Sequence, residues 1–289
     1  MTAELHSAVL EWFDRSARDL PWREPGTSPW GVLVSEVMLQ QTPVTRVVPA
    51  YRRWMQRWPT PTSLALAPTG EAIRAWDRLG YPRRALRLHA AAIAIAQRHA
   101  GAVPTELTAL LALPGVGEYT ARAVASFAFA QRHAVVDTNV RRVVARAVHG
   151  QADGGAPSAR RDLLMVEPIV PREAPTAARF AAGLMELGAL VCTGRVPKCG
   201  ECPLATTCAW RGAGFPASAT RPRSQSWSGT DRQARGRVLA LVRAATGPLP
   251  ADAFAAVWPD PAQLARAIST LVADGLVTST ADGRYVLPG

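Results

Sequence analysis

Four cysteines, the only ones among the 289 residues, lie in one short segment whose residue types and spacing suit metal chemistry. They follow the pattern C-x6-C-x2-C-x5-C and are Cys192, Cys199, Cys202 and Cys208. Thiolates held close together repel one another, so the group requires either a soft metal centre or two disulfides. The N-terminal stretch lacks the basic start and apolar centre of an export signal, which makes disulfides the weaker interpretation. The spacing alone does not distinguish a zinc site from an iron-sulfur cluster.

The charge of the chain restricts its partners. A formal net charge of +11 at pH 7 creates a field that attracts polyanions, and nucleic acid is the obvious candidate. Of the 33 basic residues only Lys198 is a lysine, so a Schiff-base mechanism depends on Lys198 or on the N-terminal amine. No apolar run reaches the length of a membrane span, and we expect a cytoplasmic, nucleoid-associated protein without membrane contact.

The spacing of apolar residues predicts the fold class. Helical periods dominate from the start of the chain to about Trp210, which predicts a mainly α protein. The composition then changes to Gly, Ala, Pro, Ser and Arg, which predicts a linker at residues 211–230. Residues 231–289 contain two helical segments followed by a hairpin pattern. We predict a small winged-helix-like C-terminal domain there, with a packing appendage that does not contact DNA as the alternative.

The segment LPGVGEYTA, residues 113–121, places Gly115 and Gly117 in a tight turn before an Ala-rich helix. Such a turn exposes backbone N–H groups at the start of a helix, where they can bind a phosphate without reading a base. Taken alone, the Gly-x-Gly pattern also fits an ordinary turn between two helices. The basic charge and the cysteine segment favour the phosphate-binding interpretation.

Two carboxyl groups lie in apolar sequence surroundings. Glu36 stands in a run, residues 32–39, that is apolar on all sides, so burial should raise its pKa and keep it protonated at neutral pH. A hydrogen-bonded structural glutamate is the alternative. Asp137 follows two valines and precedes Asn139. It is either a functional carboxylate or the N-cap of the next helix, and both can be true at once.

Three segments, in this order along the chain, resemble the helix-hairpin-helix DNA glycosylases. Residues 113–119 resemble their hairpin, VVDTNV (residues 135–140) resembles their catalytic aspartate segment, and the cysteine segment resembles their [4Fe-4S] loop. The resemblance extends from about Trp12 to Trp210 and implies that the four cysteines hold a [4Fe-4S] cluster. It also implies two helical subdomains within residues 1–210: a six-helix module at about 24–131 and a cluster subdomain at about 1–23 and 132–210.

Within that superfamily, VSEVMLQQT (residues 34–42) resembles the adenine glycosylase (MutY-like) branch, because endonuclease III relatives lack its glutamate. The resemblance implies that Glu36 protonates adenine at N7, while an ionised Asp137 stabilises the positive charge that develops on the sugar. Tyr119 stands where bifunctional relatives carry their Schiff-base lysine, which implies a monofunctional enzyme. Tyr119 and Asn139 would then position the sugar or the catalytic water.

The resemblance also implies residues that extrude adenine from the duplex. Gln41 and Tyr81 are candidates to enter the base stack, and Leu39 would line the site; a helix-end polar contact and core packing are the alternatives for the first two. The residues expected around the extruded base are Trp22, Arg23 and Glu186. Their alternatives are core burial for the tryptophan and a surface ion pair for the other two.

Several features depart from the MutY-like pattern. Pro82 stands where relatives commonly carry a second tyrosine, and Thr138 where adenine glycosylases commonly carry glycine. The large C-terminal domain that reads 8-oxoguanine in many MutY-like enzymes does not appear. We predict a monomer that acts on double-stranded DNA containing adenine opposite 8-oxoguanine or guanine. The alternatives are a glycosylase for uracil or thymine opposite guanine, and a non-catalytic iron-sulfur DNA-binding regulator.

Overall fold

The computed structural model describes residues 2–218 and 228–289, and its secondary structure is almost entirely helical, which confirms the predicted class. The predicted linker falls in part on residues 219–227, outside the described ranges. None of the described helices is long and apolar enough to cross a membrane. The described α-helices are α1 (Thr2–Ser16), α2 (Pro29–Leu39), α3 (Val44–Arg57), α4 (Pro61–Ala65), α5 (Thr69–Trp76), α6 (Arg83–Arg98), α7 (Leu107–Leu111), α8 (Glu118–Phe129), α9 (Thr138–Ala147), α10 (Ala159–Val166), α11 (Ala174–Leu190), α12 (Ala209–Gly212), α13 (Asp231–Ala244) and α14 (Pro261–Ala273).

The chain divides into two compact units. Unit 1 consists of Met1–Leu33, Thr105–Ala112 and Val116–Pro222. Unit 2 consists of Val34–Pro104, Leu113–Gly115 and Arg223–Gly289. The boundaries that the sequence suggests for the subdomains, the linker and the C-terminal domain stay predictions.

Unit 1 has its core where α1, α9 and α11 pack together. Val9, Val143 and Phe180, one from each helix, are fully buried in one apolar cluster. The contact between α9 and α11 is unusually close, because a Cβ atom at Gly188 would lie 2.6 Å from the Cβ atom of Asn139. Only glycine at this position of α11 therefore allows α9 to bring Asn139 so near.

Unit 2 combines α3 to α6 with the C-terminal segment. Ile73 of α5 lies in the same buried cluster as Val238 of α13 and Leu271 of α14. The backbone N–H of Gly70 donates to the carbonyl of Pro288 at 2.7 Å, which ties the chain end to α5. The predicted hairpin is present as β1 (Thr278–Ser279) and β2 (Tyr285–Val286), which pair antiparallel. The C-terminal segment thus shares its core with α5.

Candidate active site

Asp137 is the N-cap of α9, and each oxygen of its carboxyl group accepts a hydrogen bond. Oδ1 accepts from the backbone N–H of Val140 and Oδ2 from the side-chain amide of Asn139, both at 2.7 Å. The capping interpretation is therefore confirmed. The residue is only half-buried. Because a carboxylate oxygen has two lone pairs, each can still interact with a charge on a substrate.

Burial raises the pKa of Asp137 above the ordinary aspartate value of 3.8. The hydrogen bonds from Val140 and Asn139 and the charge of Arg142 lower this pKa, but they offset burial only in part. The ionised carboxylate that the resemblance implies therefore forms at a higher pH than in an ordinary aspartate.

Arg142, which the sequence analysis did not single out, connects this carboxylate to the cysteine segment. Its Nη2 donates to Oδ1 of Asn139 at 2.8 Å and to the carbonyl of Gly188 at 2.7 Å. Its Nε donates to the carbonyl of Cys192 at 2.6 Å. Asn139 therefore lies between Arg142 and Asp137, with the orientation of its amide fixed from both sides. The sequence signal was the spacing of three residues between Asn139 and Arg142 on one helix.

The four cysteines lie between the end of α11 and the start of α12, and none of them forms a disulfide. The pKa of Cys202 is raised to about 11, first by burial and further by the charges of the other three cysteines, against a hydrogen bond from Leu204 that lowers it. Among residues 2–218 and 228–289, no three His, Cys, Asp or Glu side chains form a site for a metal ion.

The donor set nevertheless has the chemistry of an iron-sulfur site. Four thiols without oxygen or nitrogen ligands suit soft metal centres. The Nη1 atom of Arg146 lies 3.5 Å from Sγ of Cys192, and its guanidinium stacks 4.5 Å from the ring of Trp210. A fixed positive charge beside the thiols stabilises their ionised, metal-binding form. The residues therefore fit a [4Fe-4S] cluster, which stays a prediction.

Glu186 of α11 is only 1% exposed and is held by two arginines. Arg18 donates to it through Nε at 2.6 Å, Nη2 at 3.0 Å and the backbone N–H at 3.1 Å, and Nη2 of Arg23 donates at 3.0 Å. Burial alone would raise the pKa of Glu186, but the Arg18 hydrogen bonds and the charge of Arg23 lower it overall. The ion pair between Arg23 and Glu186 considered above is thus present, but its expected surface location is wrong, since this carboxylate is buried. Trp22, in the 3-10 turn Pro21–Arg23, is buried as well.

We expect Glu186→Gln to lower the free energy of unfolding by about 3 kcal/mol, because Arg18 and Arg23 lose their common counter-charge. Urea unfolding at pH 7 measures this value. Glu167→Gln is the matched control, because the exposed pair of Glu167 with Arg132 is worth less than about 1 kcal/mol.

The pKa of Glu186 lies lower in the folded than in the unfolded chain. The stabilisation by Glu186 is thus present above the unfolded-state pKa and is lost as the pH falls through the folded-state pKa. Equal losses of stability in the two variants at pH 7 would contradict the assignment.

The helix-hairpin-helix motif is formed by α7, the turn at residues 113–117 and α8. Gly115 has a φ of +76°, and a Cβ atom there would lie 2.5 Å from the Cβ atom of Arg87. Both its backbone conformation and its surroundings therefore require glycine. Gly117 is the N-cap of α8 and offers no capping side chain. The first N–H groups of α8 can consequently bind an anion.

Tyr119, the second residue of α8, is half-buried. It packs against an apolar cluster of Ala123, Val135 and Ala181. Since Val135 precedes Asp137 by two residues, Tyr119 borders the segment that carries the carboxylate. Its aromatic ring therefore has a packing role in addition to any contact with a substrate.

The residues implied for proton donation and base extrusion belong to unit 2. Glu36 of α2 is 5% exposed, as its apolar sequence surroundings predict, and Leu39 at the end of α2 is half-buried. Gln41 and Tyr81 are exposed and adopt left-handed backbone conformations, with φ of +56° and +46°. The alternative interpretation of Tyr81 as a core-packing residue is wrong, because the residue is 47% exposed.

Comparisons with known proteins agree with the motifs. Residues 34–165 match the HhH-GPD superfamily base excision DNA repair protein model. The chain is 57% identical over 283 residues to the adenine DNA glycosylase of Mycobacterium tuberculosis (strain ATCC 25618 / H37Rv), covering 97% of this chain and 92% of the relative. It is 55% identical over 282 residues to the adenine DNA glycosylase of Mycolicibacterium smegmatis, covering 97% and 95%.

Solved structures show the same fold. A thermostable thymine-DNA glycosylase has a TM-score of 0.66 at 28% identity, covering 73% of this chain and 97% of that chain. Endonuclease III in a non-covalent complex with DNA has a TM-score of 0.62 at 21% identity, covering 74% and 98%. Because the identity to endonuclease III is only 21%, this similarity supports the fold alone.

The chain therefore belongs to the HhH-GPD superfamily of base excision DNA repair proteins. The identities over nearly its whole length are to adenine DNA glycosylases in particular. Within the superfamily, the chain is a member of the adenine DNA glycosylase (MutY-like) family, which confirms the resemblance drawn from Glu36 and its neighbours. Membership of an enzyme family also removes the support for a non-catalytic regulator.

Proposed function

We propose that this protein is a monofunctional DNA glycosylase that excises adenine opposite 8-oxoguanine or guanine from double-stranded DNA. The observation that carries the proposal is the burial of Glu36 in an apolar helix. A buried carboxyl group is suited to the role of general acid, and we assign to Glu36 the donation of a proton to adenine at N7. A protonated adenine is a good leaving group. Because uracil and thymine have no N7, Glu36 argues against the pyrimidine alternative.

Asp137 acts on the other reactant, the deoxyribose. When the glycosidic bond breaks, positive charge develops on the sugar, and the ionised carboxylate stabilises it. The hydrogen bonds from Val140 and Asn139 hold both carboxylate oxygens, so little reorganisation is needed as the charge appears. Arg142 holds the amide of Asn139 in the orientation that this contact requires.

Cleavage of the DNA strand is not expected to follow excision. Tyr119 stands where bifunctional relatives carry lysine, and the side chain of Lys198 lies 3.7 Å from that of Glu201 within the cysteine segment. No lysine therefore stands at the position from which bifunctional relatives attack the sugar. The abasic product therefore remains intact until alkali cleaves it.

Recognition of the target is divided among several groups of residues. Gln41 and Tyr81 fill the gap left in the duplex, and Trp22, Arg23 and Glu186 surround the extruded adenine. The turn with Gly115 and Gly117 binds a backbone phosphate. A [4Fe-4S] cluster, when bound by the four cysteines, would cross-link their segment into a rigid support for DNA contacts. We propose that the enzyme acts as a monomer.

A single-turnover assay tests this function. Three duplexes carry adenine opposite 8-oxoguanine, adenine opposite guanine, or uracil opposite guanine, and each reaction is analysed with and without alkali. We expect adenine release from the first two and strand breaks only after alkali. The ratio of the two rates reports recognition of the oxidised base. Release of uracil alone, or strand breaks without alkali, would contradict the proposal.

The dependence of excision on pH tests the role of Asp137. Because burial raises its pKa above 3.8, the active carboxylate is lost at a higher pH than for an ordinary aspartate. We expect the single-turnover rate to fall as the pH decreases through this raised pKa, because Asp137 then loses the charge that stabilises the sugar cation. An acid limb centred at the ordinary aspartate value would contradict the role assigned to Asp137.

A further inference from the structure

Two loops of unit 2 each present one exposed side chain on a strained backbone. Gln41 lies between α2 and α3, and Tyr81 lies just before α6. Both have a positive φ, which residues with a Cβ atom rarely adopt. Such strain persists only where the surrounding structure enforces it, and it is concentrated at functional sites. The residues that enforce it are therefore of functional interest.

Arg84, in the first turn of α6, joins the two loops. It is 6% exposed, and its guanidinium lies between the end of α2 and the turn that precedes Tyr81. On one side, Nη1 donates to the carbonyls of Val37 (2.8 Å), Met38 (3.0 Å) and Gln40 (2.5 Å). On the other side, Nη2 donates to Oγ1 of Thr42 (2.8 Å) and to the carbonyls of Gly80 (3.0 Å) and Leu79 (3.4 Å).

Further contacts reinforce this arrangement. Oγ1 of Thr42 donates to the carbonyl of Leu79 at 3.0 Å, so a second bond joins the loops directly. The guanidinium carbon of Arg84 lies 5.5 Å from the ring centre of Tyr81 and 5.2 Å from that of Trp76. Burial lowers the pKa of Arg84 to about 10, and the group therefore remains cationic at neutral pH.

We propose that Arg84 is a positioning residue that locks Gln41 and Tyr81 into one rigid wedge, which enters the duplex when adenine is extruded. The inference rests on the proposed function, in which Gln41 and Tyr81 together fill the gap that the extruded adenine leaves. A planar guanidinium can bond both loops at once, whereas an ammonium group has only three donors around one point. Arg84→Lys should therefore keep the charge but loosen the wedge.

The test compares two substrates that differ in the need for a wedge. In one duplex adenine is opposite guanine, and in the other it is opposite a tetrahydrofuran abasic analogue, where no partner base must be separated from it. For Arg84→Lys we expect a loss of single-turnover rate on the order of 100-fold with the first duplex and a much smaller loss with the second. Arg74→Lys is the matched control, because Arg74 also donates to backbone carbonyls in unit 2, those of Arg243 and Ala245.

A second readout follows extrusion without chemistry. The target is 7-deazaadenine, which has no N7 to protonate, and a 2-aminopurine lies next to it in the strand. The fluorescence of this 2-aminopurine rises when the target leaves the stack, and we expect a smaller rise with Arg84→Lys than with Arg74→Lys. In a Tyr81→Ala background, Arg84→Lys should cost little more, because both changes disable the same wedge. Should the lysine variant fail to fold, Thr42→Val removes one bond between the loops and should show the same preference for the abasic duplex.

Two results would overturn the inference. One is an equal loss on both duplexes, which would make Arg84 a residue of general stability. The other is a full 2-aminopurine response in a folded Arg84→Lys variant. Failure of the unmodified protein to excise adenine would refute the proposed function instead, while its 2-aminopurine response would still report whether a wedge forms.

Discussion

Replacing Asp137 with Asn is expected to reduce adenine excision on the order of 1,000-fold while DNA binding and folding are retained. Asparagine and aspartate cap helices about equally well, so α9 should keep its start. The charge opposite the developing oxocarbenium ion is lost, however, and a neutral amide cannot replace it. Single-turnover rates with adenine opposite guanine measure excision, and an electrophoretic mobility shift of the same duplex measures DNA binding.

The matched control for this variant is Asp260→Asn. Asp260 is the N-cap of α14, where its Oδ1 accepts from the backbone N–H of Gln263 at 3.0 Å. The same chemical change at a similar cap should leave the excision rate unaltered. A rate for Asp137→Asn within a few-fold of that of the control would contradict the assignment of Asp137 as the stabilising carboxylate.

The sequence predicted those features of the site that depend on local pattern. The apolar run around Glu36 predicted its burial, the position of Asp137 before a helical segment predicted its cap, and the two glycines before α8 predicted the turn. Each of these features is decided by residues within one or two turns of the chain. Helix class and turn positions follow from the same local information.

The contacts that hold the site together could not be predicted in this way. Arg18, Arg84 and Arg142 each bond groups 40 or more residues away, and the sequence, rich in arginine, does not distinguish them from those on the surface. The raised pKa of Asp137 could not be predicted either, because it results from burial in the folded chain. The shared core of Ile73 and the C-terminal segment likewise joins residues far apart in the chain.

Glu36→Gln is expected to lose adenine excision on the order of 1,000-fold, because glutamine has nearly the same shape but no proton to donate. Single-turnover rates with adenine opposite guanine measure the loss. Glu71→Gln is the matched control: it lies in the same unit, but its carboxylate pairs with Arg57 at 2.5 Å and Arg74 at 3.3 Å. Its rate should equal that of the unmodified protein.

A modified substrate separates proton donation from any structural role of Glu36. In 7-deazaadenine, carbon replaces N7, so the unmodified protein should bind the duplex but excise the base no faster than Glu36→Gln excises adenine. On 7-deazaadenine, Glu36→Gln should excise the base as slowly as the unmodified protein does, since the proton acceptor N7 is already absent. A further loss for Glu36→Gln on 7-deazaadenine would mean that the carboxyl acts by holding the fold of α2. An unchanged rate on adenine would mean that another group supplies the proton.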